Sequence, residues 1–228
     1  MKKKILAGVT LAALVSTSQA GVTVANTGLS AWPGGAQIIT IADPTTAVTT
    51  ESFSGSRTTL SQTFKATSSF TLDKVSIWGD GAVVTGLSLR LVDLGVQGAI
   101  PNTYASGSDL FSGLTFNYNG SASKNVIQFD LTGVDEVTLT SGNTYAFEII
   151  ATAGTGFNWN RIGANPYTDG DAYLDDATTP GIRNQLNGAG RDFAMAIYAV
   201  PVPEPGSLAL LGLAAVTGGV LLRRRRSE

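Results

Sequence analysis

The densest group of side chains that could do chemistry is a run of four aspartates, Asp169, Asp171, Asp175 and Asp176. Calcium takes about six to eight oxygen ligands, and several carboxylates on one loop can supply them. The spacing departs from that of an EF-hand loop, because Gly170 comes too early and no glutamate stands at the twelfth position. The run therefore predicts either a calcium site or a solvated acidic loop.

A second group of residues, Trp159, Arg161 and Tyr167, has the composition of a glycan contact. The segment at 157–161 combines two aromatic rings with two amides and a guanidinium. Exposed aromatic faces stack on sugar rings, while neighbouring polar groups fix their orientation. The alternative is that these aromatic residues bury apolar area in the core. Trp78 continues an apolar strand and is expected in or near the core.

The chain contains no histidine and no cysteine. Ser-His-Asp triads, Cys-His dyads and zinc sites built on thiolate or imidazole are therefore excluded. A glycosidase would need two carboxylates about 5 to 9 Å apart in a cleft, and no motif indicates such a pair. Glu148 alternates with apolar residues and is expected to face outward. We therefore predict a protein that is not an enzyme.

The charge of the chain is unevenly distributed. The net charge is −2, but the segment 21–203 holds 8 Lys and Arg against 15 Asp and Glu. This acidic body argues against nucleic acid as a partner. It is compatible with neutral glycans, with cations or simply with solubility.

The body between the two termini shows the period-two pattern of half-buried strands. Apolar residues alternate with polar ones in several segments: Leu87, Leu89 and Leu91; Ile127, Phe129 and Leu131; Tyr145, Phe147 and Ile149; Phe193, Met195 and Ile197; Leu114, Phe116 and Tyr118; and, more weakly, Leu60 and Phe64. Eight to ten short strands over about 180 residues favour an all-β fold, an antiparallel β-sandwich of the jelly-roll type.

Local signals indicate where these strands bend and end. Phe70 and Leu72 are out of phase with Val75 and Ile77, which predicts a bulge at residues 73–74. Glycine and asparagine clusters at residues 79–81, 119–120, 141–143 and 169–170 predict turns. No internal repeat or second domain boundary is evident, so residues 21–200 are interpreted as one domain.

The amino terminus has the features of a secretory signal peptide over residues 1–20. Three lysines precede an apolar run of about 11 residues, which is too short to span a bilayer. Ser18 and Ala20 then form a small-x-small cleavage site before Gly21. We expect export of the chain and a mature body that begins at Gly21.

The carboxy terminus, residues 201–228, combines three elements in a fixed order. Pro203, Glu204 and Pro205 come first, an uncharged apolar stretch at 208–222 follows, and Arg223, Arg224, Arg225 and Arg226 close it. The stretch would span roughly 22 Å as a helix, against a hydrocarbon core of about 30 Å. It therefore predicts a short transmembrane helix, and the arginines would keep its end in the cytoplasm.

This order of elements resembles the PEP-CTERM sorting signal of Gram-negative bacteria. The resemblance implies recognition by an exosortase, a membrane enzyme thought to cut near Pro-Glu-Pro. It further implies a precursor anchored in the inner membrane and a body released to the cell surface or an exopolysaccharide matrix. An ordinary membrane anchor is the alternative. Short segments of the body also loosely resemble jelly-roll domains of anchored bacterial surface proteins, namely residues 61–64, 70–72, 141–147, 171–173 and 192–193.

Together these observations predict an exported structural or adhesive sandwich with no required cofactor. A carbohydrate-binding module that acts on exopolysaccharide is the alternative, and a glycan-active enzyme is the third reading.

Overall fold

The computed structural model describes residues 21–35, 37–42, 49–53, 57–105, 108–132, 136–151, 155–163, 166–175, 181–186 and 190–200. The predicted signal peptide, the carboxy-terminal tail and Asp176 lie outside these residues. Within the described ranges, no helix combines the length and the apolar character needed to cross a bilayer.

The described residues form sixteen β-strands. The first eight are β1 Gly21–Asn26, β2 Gln37–Ile41, β3 Thr49–Ser52, β4 Thr59–Lys65, β5 Phe70–Gly81, β6 Val84–Val96, β7 Thr103–Ala105 and β8 Ser108–Tyr118. The other eight are β9 Ser121–Thr132, β10 Thr138–Leu139, β11 Asn143–Ile150, β12 Phe157–Ile162, β13 Ala172–Asp175, β14 Ile182–Gln185, β15 Asp192–Phe193 and β16 Met195–Ala199. The larger number reflects short strands that the sequence pattern did not resolve.

The strands make two antiparallel sheets. One has nine strands along the path β1-β9-β5-β12-β15, with β10 and β16 also paired to β5, β2 to β16 and β3 to β12. The other has seven strands in the order β7-β14-β13-β4-β11-β6-β8. Successive long strands often change sheet, as β4, β5 and β6 do. The prediction of an all-β, antiparallel sandwich is confirmed.

The core lies between the two sheets and contains the residues that alternate in the sequence. Phe129 of β9 contacts Phe116 of β8 and Phe147 of β11, with ring centroids 5.1 and 5.8 Å apart. These contacts join the nine-stranded sheet to the seven-stranded one. Burial of such rings removes large apolar areas from water and is the main stabilising term of the fold.

The predicted bulge is present in β5. Tyr198 of β16 pairs with Lys74, but the next residue, Ala199, pairs with Leu72, so Asp73 has no partner in the register. The extra residue restores the phase, and Leu72, Val75 and Ile77 are all buried.

Of the four predicted turns, three are confirmed and one is wrong. Thr168 and Asp169 form a turn shortly before β13. Residues 119–120 connect β8 to β9, and residues 141–142 connect β10 to β11. Residues 79–81 instead continue β5, because Gly79 and Gly81 pair with Trp159 and Phe157 of β12. The chain turns two residues later, before Val84.

The last strand, β16, lies inside the nine-stranded sheet, between β2 and β5. All five of its residues are buried. Val200 still donates its backbone N–H to Thr71 O at 2.9 Å. The tail at 201–228 therefore follows directly on a strand that lies inside the nine-stranded sheet.

Candidate functional site

The aspartates of the predicted calcium loop have separate environments. Asp169 is exposed, whereas Asp171 is buried and its carboxylate accepts four hydrogen bonds, including those from Gly190 N and Arg191 N at 3.1 Å. Asp175 accepts hydrogen bonds from Thr58 and Thr59 across the sheet. Within the described part of the chain, no three acids are grouped as a metal site requires. Protein donors therefore occupy the oxygens of Asp171 and Asp175, and calcium binding stays a prediction.

Trp159, proposed above as a glycan contact, is wholly enclosed in the core. The side chain is 0% exposed, its Nε1–H donates to Ala194 O at 3.0 Å, and its ring stacks on Phe193 at 4.6 Å. An enclosed indole offers no face to a ligand. The interpretation of Trp159 as a glycan platform is therefore wrong, and the core alternative holds. The strand alternation of β12 places it inward together with Phe157.

The other two members of that group are also engaged by the protein. Arg161 is buried and its Nε donates to Glu51 Oε1 at 2.7 Å, while Arg57 binds the second carboxylate oxygen at 2.9 Å. Tyr167 is half-buried and its hydroxyl donates to Lys65 O at 3.2 Å. These contacts tie loops to strands, and they do not form an open glycan site with Trp159.

Glu148 is the main correction to the expected orientations. It points away from the main core, as the alternation of β11 requires, yet it is 0% exposed. Arg183 donates to its two oxygens at 3.1 and 3.3 Å, and Tyr104 donates to Oε1 at 2.8 Å. Arg90 Nη1 lies 3.5 Å from Glu148 Oε2, and Arg90 Nη2 also binds Asp109 Oδ1. The carboxylate is thus neutralised by guanidinium groups in a buried polar cluster.

The curl of the seven-stranded sheet explains this burial. Tyr104 is on β7 and Glu148 on β11, four places apart in the strand order. In a flat sheet four steps cover roughly 19 Å, but the Tyr104 hydroxyl reaches Glu148. The β7 edge therefore curls over the outer face of β4 and β11. Tyr104, Tyr173, Val92 and Ala146 form a second small apolar cluster there.

Asp192 is a further buried acid that the sequence did not single out. Its Oδ1 accepts a hydrogen bond from Gln62 Nε2 at 2.9 Å and its Oδ2 accepts one from Tyr167 N at 3.1 Å. Burial is the main cause that raises the pKa of Asp192 from 3.8 to about 7, against the effect of these two donors, and nearby Asp171 raises it further. Asp192 is thus a structural acid that binds a proton within the physiological range.

A shallow, open hollow of about 590 Å³ lies at one end of the sandwich. Its polar lining consists of Asp80, Gly81, Asn119, Gly120, Ser121 and Asn158, which we call the amide cleft. Asn158 Nδ2 donates to Asp80 Oδ1 at 2.6 Å. Gly81 has a φ of 133°, and a Cβ there would collide with Gly156 O, so this backbone crossing requires glycine.

A smaller hollow of about 270 Å³ adjoins the amide cleft and shares Asn119 with it. Asn26 lines the smaller hollow, and its Nδ2 donates to Gly120 O at 2.9 Å. Tyr118 lines it too, and none of the described residues makes a hydrogen bond of ordinary geometry with its buried hydroxyl. Burial raises the pKa of Tyr118 to about 12, with a further increase from Asp80, while the Asn26 and Asn125 amides lower it. At this end of the molecule the sequence predicts only turns.

A third hollow, of about 150 Å³, lies beside the acidic loop and includes Lys65, Thr144 and Asp169. Its described lining includes one carboxylate, that of Asp169, and the described lining of the amide cleft includes that of Asp80. A retaining or inverting glycosidase needs two carboxylates about 5 to 9 Å apart. Neither of these two hollows has that arrangement.

Comparison with known protein families identified the tail. Residues 201–226 match the family model described as the PEP-CTERM protein-sorting motif. This match confirms the resemblance carried by Pro203, Glu204, Pro205 and the four arginines. A search of curated proteins found no match. The motif implies an exported protein with a carboxy-terminal sorting tail that an exosortase processes.

Replacement of Trp159 by alanine tests its assignment to the core. Because the indole is enclosed by Phe147 and Phe193, we expect Trp159→Ala to lower the free energy of unfolding by about 3 to 5 kcal/mol. Urea unfolding followed by circular dichroism measures this change. A variant as stable as the parent protein would place the ring outside the core.

The ion pair of Glu148 predicts a second large effect. We expect Arg183→Met to destabilise the protein by about 3 to 5 kcal/mol, because it removes the donor that binds both oxygens of a buried carboxylate. Combining Arg183→Met with Glu148→Leu removes both charges and should recover most of that loss. If the double variant were less stable than Arg183→Met alone, in urea unfolding, the destabilisation would have another cause.

Asp192 predicts a dependence of stability on pH. Because its pKa is raised on folding, the native state binds the extra proton, and this group makes stability fall as pH rises from about 4 to about 7. Asp192→Asn should remove that slope. The difference in unfolding free energy between the variant and the parent should therefore change by a few kcal/mol between about pH 4 and about pH 7. Parallel stability curves from pH 4 to 8 would contradict the assignment.

Proposed function

We propose that the chain is a structural or adhesive component of the cell surface or extracellular matrix, delivered there by its sorting tail. The single observation that carries this proposal is the sorting motif at 201–226, joined directly to a folded β-sandwich. The cleavable signal peptide expected at residues 1–20 fits the same route. The precursor would be anchored in the inner membrane by residues 208–222 until the exosortase removes the tail.

The interior of the sandwich supports a role that is not enzymatic. The buried acids Glu148, Asp171 and Asp192 each accept hydrogen bonds from protein donors. Acids used in this way hold strands and loops together. The carboxylates Asp80 and Asp169 lie in separate hollows, which does not favour the paired acids of a glycosidase.

The position of β16 defines what the tail carries. The described body ends at Val200, still hydrogen-bonded to Thr71, and the matched motif starts at residue 201. Residues 201–207 extend at most about 25 Å. The folded body of the precursor would therefore lie close to the membrane surface, with the Thr71 end of β5 nearest to it. Exopolysaccharide is the partner that we propose for the released body.

Substitution of the sorting motif tests this route. Replacing Pro203, Glu204 and Pro205 by alanine should leave the precursor uncut, so that the full-length chain accumulates in the membrane fraction and the released form is lost. Immunoblots of membrane and culture-medium fractions, with an epitope in the body, measure both species.

A matched control changes the two residues that follow the motif. The double substitution Ser227→Ala and Glu228→Ala lies outside residues 201–226. It should leave the release of the body unchanged. Normal release of the variant with three alanines would contradict the sorting role of Pro203–Pro205.

A further inference from the structure

The amide cleft lies at the opposite end of the sandwich from the tail. β5 connects the two ends, since Thr71 accepts a hydrogen bond from Val200 at one end and Asp80 and Gly81 line the cleft at the other. Ten residues of strand cover roughly 30 Å. The cleft therefore lies roughly 30 Å from the point at which the tail begins.

The lining of the cleft offers hydrogen-bond donors and acceptors in about equal measure. Asn119 and Asn158 each have an amide donor and a carbonyl acceptor, and Asp80 provides carboxylate oxygens. Among the described residues, Asp80 accepts a side-chain hydrogen bond from Asn158 alone, and Asn119 is exposed. Saccharide hydroxyls act both as donors and as acceptors, so this set matches their chemistry.

An apolar edge borders these polar groups. Val83 is 68% exposed and Ala82 is also exposed, and both line the same hollow. Covering such an exposed apolar side chain with an apolar surface is favourable, because it removes apolar area from water. The C–H face of a pyranose ring provides such a surface while its hydroxyls remain directed to the amides.

The charge of the lining distinguishes between classes of saccharide. The described residues that line the cleft include Asp80 and no lysine or arginine. The body around it is acidic, with 15 Asp and Glu against 8 Lys and Arg. Uronate, sulfate or phosphate groups would be repelled here, because no guanidinium or ammonium group pairs with them.

We propose that the amide cleft binds a neutral, hydroxyl-rich saccharide, with Asn119, Asn158 and Asp80 as hydrogen-bonding residues and Val83 as the apolar contact. The biological partner rests on the proposed display outside the cell, where neutral exopolysaccharide chains would reach the cleft. The binding itself depends only on the folded body and can be measured on the purified protein.

The first test is binding of the full chain, in detergent micelles, to an array of immobilised neutral and anionic oligosaccharides. We expect neutral oligosaccharides to bind. Calorimetry then measures the affinity of the protein for them. Asn119→Ala should weaken that binding about tenfold, since loss of one good hydrogen-bonding group is worth about that factor. The control variant Asn102→Ala removes an exposed amide in the loop before β7. Its affinity should stay within about twofold of that of the parent protein.

The second test uses a matched pair of exposed valines at opposite ends of β6. Val83→Asp puts a charge on the apolar edge of the cleft, whereas Val96→Asp puts one on a valine that is 78% exposed at the far end. Both variants should fold, because neither site is buried. We expect Val83→Asp to abolish binding and Val96→Asp to preserve it.

Three results would overturn the proposal. The first is no binding of any neutral saccharide on the array at millimolar concentration, and the second is equal binding by the Val83→Asp and Val96→Asp proteins. The third is a preference for the anionic members of the array. None of these results bears on export, which the fractionation of the motif variant tests separately.

Discussion

The structure depends on the burial of two sheet faces against each other, and β16 completes one of them. Met195 and Ile197 enter the core, while Tyr198 is buried on the other face, where its hydroxyl donates to Pro33 O at 3.0 Å. Because β16 pairs with both β2 and β5, removing it would expose two neighbouring strands. The body is therefore complete only when the chain has been exported as far as the start of its sorting motif.

Because of this arrangement, the two ends of the sandwich differ. The tail leaves from the Thr71 end of β5, and the hairpins that carry Asp80, Asn119 and Asn158 lie at the other end. Loops at the ends of a sandwich are where binding residues concentrate, since strands hold them in place without using their side chains. The curled edge of the seven-stranded sheet, with Tyr104 and Arg183, covers Glu148. In the proposed function, the contacts that stabilise the fold and the residues that bind a ligand thus lie in different parts of the molecule.

The alternation of apolar residues predicted the strands and the core, and the phase shift at residues 73–74 predicted the bulge, because both are local properties of a pleated chain. Burial of Glu148 could not be predicted in this way, since it arises from contacts between strands four places apart in the sheet. Trp159 was misassigned because its polar neighbours lie on the other face of β12. The amide cleft was missed because residues 79–81 were interpreted as a turn, and its parts come from three separate segments.

The central claim is that one folded body is exported and separated from its tail. The most direct measurement is the intact mass of the protein outside the cell, together with sequencing of both its ends. We expect a chain that begins at Gly21 and ends close to Pro203–Pro205, without residues 208–226. An intact chain of 228 residues, found in the cytosol with both ends uncut, would contradict it.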